Sequence, residues 1–186
     1  MSSIFTATKT PTGYTWTITS KLDDILNKAE AKYGPRDKSY TILGIEFNTD
    51  SYPQIWYPGN NKKVIIQISQ NCLNDINRAV FQVAHEAIHC LCPNGNNVVN
   101  VLKEGLANLF SIEYCAQNGH GDFWTSDQQK YTDASDLVIE LLKYDIDIIK
   151  KLRAVQPTIS LIDKKLIMQV NSSVPESLID SLIEKF

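Results

Sequence analysis

The chain has 186 residues, enough for one compact domain, and its 43% hydrophobic and 21% charged content is that of an ordinary soluble globular protein. A formal net charge of -3 argues against nucleic-acid binding, which needs a basic stripe to displace counterions. The apolar runs are far too short to span a bilayer, and Met1 to Thr6 does not resemble a secretion signal, so the expected location is cytoplasmic, with leaderless export left open.

In chain order, Tyr14, Trp16 and Ile18 alternate with threonines, the period of two of a half-buried strand. Ser20 is an N-cap candidate for a helix carried by Leu22, Ile25, Leu26, Ala29 and Tyr33 and stopped by Gly34-Pro35. Tyr40 to Phe47, Gln54 to Tyr57 and Lys63 to Ile68 read as three more strands, the last two joined by a turn at Pro58-Gly59-Asn60-Asn61.

From Asn71 the period becomes helical, through Leu73, Ile76, Val80, Val83, Ala84, Ala87, Ile88 and Leu91, and ends at Pro93-Asn94-Gly95. A second helix is expected from about Val98 to about Cys115, closed by Asn118-Gly119. Leu137, Leu141, Ile148 and Leu152 define one further helical segment, with Asp145 and Asp147 on its wet face. A short helix near Leu161 to Val170 follows, then a last one opened by Pro175 at its first position. Cys72, Cys90, Cys92 and Cys115 form no Cys-x-x-Cys pair and are expected to be free, largely buried thiols, a disulfide in a secreted protein being the alternative. The whole, residues 1–186, reads as one α+β domain: a small N-terminal mixed sheet with one helix over about 1–70, packed over a mainly helical part over about 71–186.

The chemistry lies in His85-Glu86-Ala87-Ile88-His89. Histidines four apart on a helix share a face, one turn from each other, where both reach a single ion. Glu86, beside the first histidine, is placed to take a proton from a metal-activated water and pass it to a leaving amine. A catalytic zinc takes three protein ligands. Glu104 is the third candidate, if the second helix folds back on the first with the small Gly105 and Ala107 allowing a close approach. His120, in Asn118-Gly119-His120-Gly121, is an alternative third ligand or a plain loop histidine. Oxyanion donors are sought among His120, Tyr114, Tyr131 and Tyr144, with Tyr131 and His120 preferred. Trp56, Phe123 and Trp124 are candidates to line a cleft, though aromatic residues are more often core.

With Glu104-Gly105-Leu106-Ala107 downstream, the motif resembles the gluzincin class of zinc metallopeptidases over roughly Phe81 to Ser111. The resemblance implies one zinc ion per chain held by His85, His89 and Glu104, with Glu86 as general base and acid. It also implies a sheet above the metal helix whose edge strand pairs with an extended peptide or protein substrate; Lys63 to Ile68 is the candidate edge. Two departures stand out: the interval from His89 to Glu104 is short, and Asn108 stands where several gluzincins carry an aspartate that holds the first histidine. The metzincin continuation is absent, since Cys92 and Gly95 replace its glycine and third histidine. The expected activity is zinc-dependent peptide-bond hydrolysis, with no nucleic-acid or membrane partner. A metal-dependent amidase acting on a non-protein substrate, or a binding or regulatory module that no longer cleaves, are the alternatives.

Overall fold

The computed structural model describes residues 4–59, 62–95, 99–121 and 129–186. It is an α+β arrangement in which a small sheet and one helix precede a mainly helical remainder. A two-residue ladder, β1 (Lys9–Thr10) with β2 (Gly13–Tyr14), comes first. The strand expected through Thr19 therefore ends early. Tyr14 and Trp16 are exposed, while Ile18 is fully buried as the first residue of α1 (Ile18–Tyr33). The reason is a capping box: Thr17 Oγ1 accepts from the Ser20 amide, and Ser20 Oγ accepts from the Thr17 amide. This moves the N-cap from Ser20 to Thr17. Ile18, Leu22, Ile25, Leu26, Ala29 and Tyr33 form the buried stripe of α1.

Three strands follow: β3 (Thr41–Phe47), β4 (Gln54–Trp56) and β5 (Lys63–Ile68). Their spatial order is β3-β5-β4, with β5 parallel to β3 and antiparallel to β4. Lys63 to Ile68 is thus the central strand and not the edge. Its composition suits the middle, because Val64, Ile66 and Ile68 are fully buried and α2 packs on the same strand. The edges fall to β3 and to the short β4, and β4 is the one that packs against α2.

A 3-10 turn at Gln70–Cys72 leads to α2 (Ile76–His89), capped by the Asp75 side chain, which accepts from the Arg78 amide. Leu73, read as part of the helical stripe, lies before α2 and is 54% exposed. Next is α3 (Val101–Gln117), with Asn100 as N-cap; the expected onset at Val98 lies outside the described residues. From Leu102 to Ser111 every residue of α3 is buried, so this helix is an axis of the molecule rather than a surface helix.

The segment expected as one helix is two, α4 (Gln129–Tyr144) and α5 (Ile148–Val155). Asp145 accepts from the Asp147 amide and pairs with Lys151, so these aspartates form the turn between helices instead of a helix face. Two more helices complete the chain, α6 (Lys164–Val170) and α7 (Glu176–Ile183), with Pro175 as the N-cap of α7 and not its first residue. One buried apolar cluster runs through α1, β5, α2, α3 and the later helices.

Arg153 of α5 is buried and its guanidinium donates to the carbonyls of Tyr33, Gly34, Pro35, Leu91 and Pro157. These include the last carbonyls of α1, where a cation also meets the negative end of the helix dipole. All four cysteines are free, with Cys72, Cys90 and Cys115 buried. No helix among the described residues is long and apolar enough to cross a membrane.

Candidate metal centre

Burial covers nearly the whole circumference of α2 between Ala79 and Ile88, so its polar residues there face other elements instead of water. His85 is 9% exposed and Glu86 is 3% exposed. The imidazoles of His85 and His89 lie edge to face with centroids 5.1 Å apart, as the four-residue spacing dictates. Across from them is the first turn of α3, which carries Glu104. Asn100 caps that turn, its side chain accepting from the Lys103 amide at 3.0 Å, and so fixes where the turn begins.

Glu104 meets both histidines. Its Oε2 is 3.3 Å from His85 Nε2 and its Oε1 is 3.4 Å from His89 Nε2. Charge-assisted hydrogen bonds between such groups are shorter, about 2.7–2.9 Å. Donors bound at about 2.0–2.1 Å to a tetrahedral ion stand about 3.3–3.4 Å from one another, whereas the two contacts here reach different oxygens of the carboxylate. One donor atom from each of the three residues lies within 4.8 Å of the others, and this buried triad can hold a metal ion. Among the described residues no other group of histidine, cysteine or carboxylate side chains does so. His89 Nδ1 is buried without a hydrogen-bond partner.

The electrostatics follow from burial and proximity. Burial pushes the Glu86 carboxyl up to about 7, the Glu104 charge adding to it and His85 opposing. Burial alone would also raise Glu104, but the two imidazoles outweigh it and hold this carboxyl well below its usual range. Burial depresses His89 to about 3. For His85 burial acts the same way, but the hydrogen bond and charge of Glu104 prevail and raise it. Both imidazoles thus present Nε2 to a carboxylate that stays ionised. No hydrogen bond among the described residues engages the Glu86 carboxylate, which leaves it available to a bound molecule.

The residues named from the sequence fall into three groups. His85, Glu86, His89 and Glu104 come together, and Tyr131 joins them from the first turn of α4, its ring 5.9 Å from that of His85. Burial, and then the charges of Glu104 and Glu86, push the Tyr131 phenol up to about 12, so it stays a proton donor at neutral pH. A second group is held elsewhere. His120 Nδ1 is 2.9 Å from Asn77 Oδ1, at the first turn of α2, and Asn77 is about 12 Å along the helix axis from His85. His120 is therefore not brought to the triad. Tyr114 donates to Asp24 on α1, Tyr144 closes α4 with 37% exposure, and Trp56 lies on β4 with 46% exposure. Phe123 and Trp124 lie outside the described residues.

Two expectations about supporting residues need correction. Asn108 does not hold His85; its amide donates to Ser135 Oγ at 2.7 Å and to the Tyr131 carbonyl at 3.2 Å, both on α4. Gly105 does not serve the contact between α2 and α3 either. A Cβ built there would lie 2.3 Å from the Ala134 carbonyl oxygen and 2.9 Å from Val138, so the missing side chain lets α4 press on α3. Both residues bring α4, and with it Tyr131, onto the centre.

Lys103 is a residue the sequence did not single out. It is 7% exposed, and burial lowers its pKa against the opposing charges of Glu104 and Glu86. A lysine before Glu104 reads as a surface residue by composition, and only the burial of α3 on all sides reveals it as a cation close to the site. Compared with protein-family models, curated proteins and solved structures, the chain matches none of them.

Proposed function

We propose that the chain is a zinc-dependent peptidase in which His85, His89 and Glu104 hold the ion and Glu86 moves the proton. The observation that carries this reading is the buried triad, with histidine-to-carboxylate distances of 3.3 and 3.4 Å, beside the unengaged Glu86. Two imidazoles, which bind a metal in their neutral form, and one carboxylate would supply the donor set of a hydrolytic zinc. Zinc, when bound, supplies a Lewis acid that polarises a carbonyl and lowers the pKa of water.

The chain's own residues supply the rest. Glu86, raised to about 7 by burial, accepts the proton of the attacking water and returns it to the leaving amine. Tyr131, close to His85 and protonated at neutral pH, donates a hydrogen bond to the developing oxyanion. An extended substrate segment pairs with the free edge of β4, the edge strand on the α2 side. His120 has no role in this scheme.

Elemental mass spectrometry of the purified protein, followed by a fluorogenic peptide-library screen with and without chelator, tests the reading. About one zinc per chain and chelator-sensitive cleavage are expected. Glu86→Gln should keep the metal while lowering kcat by about 10²–10⁴-fold. Zinc without cleavage of any peptide would turn the reading toward a binding module, or toward an amidase if non-protein amides are hydrolysed. No metal uptake would end it.

A further inference from the structure

The segment Glu184–Phe186 lies along the entry to α3. The Val101 amide donates to the Glu184 carbonyl at 3.0 Å, the Phe186 amide donates to the Val99 carbonyl at 3.1 Å, and Asn100 pairs with Lys185 in an antiparallel bridge. Asn100 is the N-cap of α3, so these three residues are tied to the turn that sets Glu104. From this anchored backbone the Phe186 ring reaches Tyr131, with centroids 4.8 Å apart and planes inclined at 55°. The Lys130 ammonium sits 4.4 Å from the Phe186 centroid and 5.3 Å from that of Tyr131. Tyr131 also meets His85 edge to face, with centroids 5.9 Å apart.

We infer that Phe186 is a positioning residue that holds the Tyr131 ring against the metal triad; the inference rests on the metal-site reading above. Two separate restraints act on Tyr131. Its backbone carbonyl accepts from Asn108 and from Ser135, which fixes where the residue starts. Neither bond fixes where the ring points. Tyr131 lies in the first turn of α4, where backbone amides lack intrahelical partners and helices fray most readily. The ring is therefore directed by what it packs on: His85, Phe186 and the Lys130 cation. Aromatic and cation-π contacts of this kind add attraction beyond area burial and so bias which rotamer the ring adopts. Because segment 184–186 is paired to the N-cap region of α3, Glu104 and Tyr131 are registered to each other through it, although they belong to different helices.

The test is carried out on the whole chain carrying 3-fluorotyrosine, loaded with Co²⁺ or Zn²⁺, the Tyr131 resonance being assigned with Tyr131→Phe. Paramagnetic broadening of that resonance by Co²⁺ measures how near the ring lies to the ion. Phe186→Ala should reduce the broadening severalfold while leaving metal content and the thermal transition in place, and Phe186→Tyr should restore it. Should Phe186→Ala fail to fold, Phe186→Leu, which keeps apolar bulk but no aromatic face, should show the same loss. If wild-type protein cleaves a peptide, Phe186→Ala should lower kcat by roughly tenfold with KM unchanged, and add nothing to Tyr131→Phe. Unchanged broadening in the folded variants, or fully additive kinetic effects, would overturn the inference while leaving the zinc reading intact. Failure of wild-type protein to take up either metal would remove the metal reading and the inference with it.

Discussion

Glu104 is the residue on which the centre turns. Both imidazoles point their Nε2 atoms at its carboxylate, and its own ionisation is secured by them. Glu104→Ala should therefore weaken zinc binding by more than about 100-fold, beyond the usual cost of losing a residue that merely supports a ligand. Competition with a chromogenic chelator measures this directly, and unchanged affinity would move the third ligand elsewhere. At this scale much was legible in the sequence. Histidines four apart and a carboxylate on the next helix carry their chemistry in their spacing. The supporting residues were not legible. The donor direction of Asn108 and the direction in which the Gly105 backbone is exposed depend on α4, and nothing near residue 105 announces that helix. Phe186 was hidden for the same reason, being 55 positions from Tyr131 in the chain and 4.8 Å from it in space.

Between elements, two contacts determine how the helices sit. α4 presses on α3 at Gly105, where even a methyl group has no room. Gly105→Ala should cost about 1–3 kcal/mol of stability, because the added carbon meets a backbone carbonyl that cannot rotate away. Thermal unfolding measures it, and cleavage should fall more than zinc binding, since α4 carries Tyr131 while the ligands lie on α2 and α3. The second contact joins α1 to α3, where Asp24 accepts from Tyr114 and from Lys28. Burial alone would raise the Asp24 pKa, but these partners outweigh it and hold the carboxyl below its ordinary 3.8. The stabilisation is therefore fully present above pH 3.8 and is lost as pH falls through the lower, folded value. Asp24→Asn should cost about 0.5–1 kcal/mol at pH 7, and denaturation curves of the two proteins should converge below pH 3.8.

Element boundaries were legible where a local device sets them. Lys63–Ile68 matched its β-branched run, and α1 ended at Gly34 as its Gly-Pro signal implies. They were misread where two devices compete. Threonine alternation before Ser20 suits a strand, yet the same Thr17 and Ser20 form a capping box, and the helix prevails because it buries Ile18. Strand order was out of reach, since placing β5 between β3 and β4 depends on a parallel pairing that no turn residue specifies.

Over the whole molecule, the candidate metal centre is a joint between the sheet-bearing half and the helical half. α2 packs on β5 and α1, α3 packs on α2 and α4, and the triad of His85, His89 and Glu104 bridges the contact between α2 and α3. An ion bound there stabilises the folded chain by mass action, by about 4 kcal/mol when free zinc is a thousand times its dissociation constant. Chelation should accordingly lower the thermal midpoint by several degrees in calorimetry, and an unchanged midpoint would argue that the ligands do not share an ion.

The buried thiols give this joint a built-in clock. Cys90 follows His89 of the triad directly, at the C-cap of α2, and burial pushes its thiol pKa far above the range in which a thiolate attacks. It can be alkylated only when the last turn of α2 opens, whereas Cys92, two residues on, is partly accessible in the closed form. The lag between alkylation at the two positions, followed by mass spectrometry, therefore times the breathing of the site without any engineered label. A ligand that clamps α2 to α3 lengthens that lag, whether or not its chemistry has been identified.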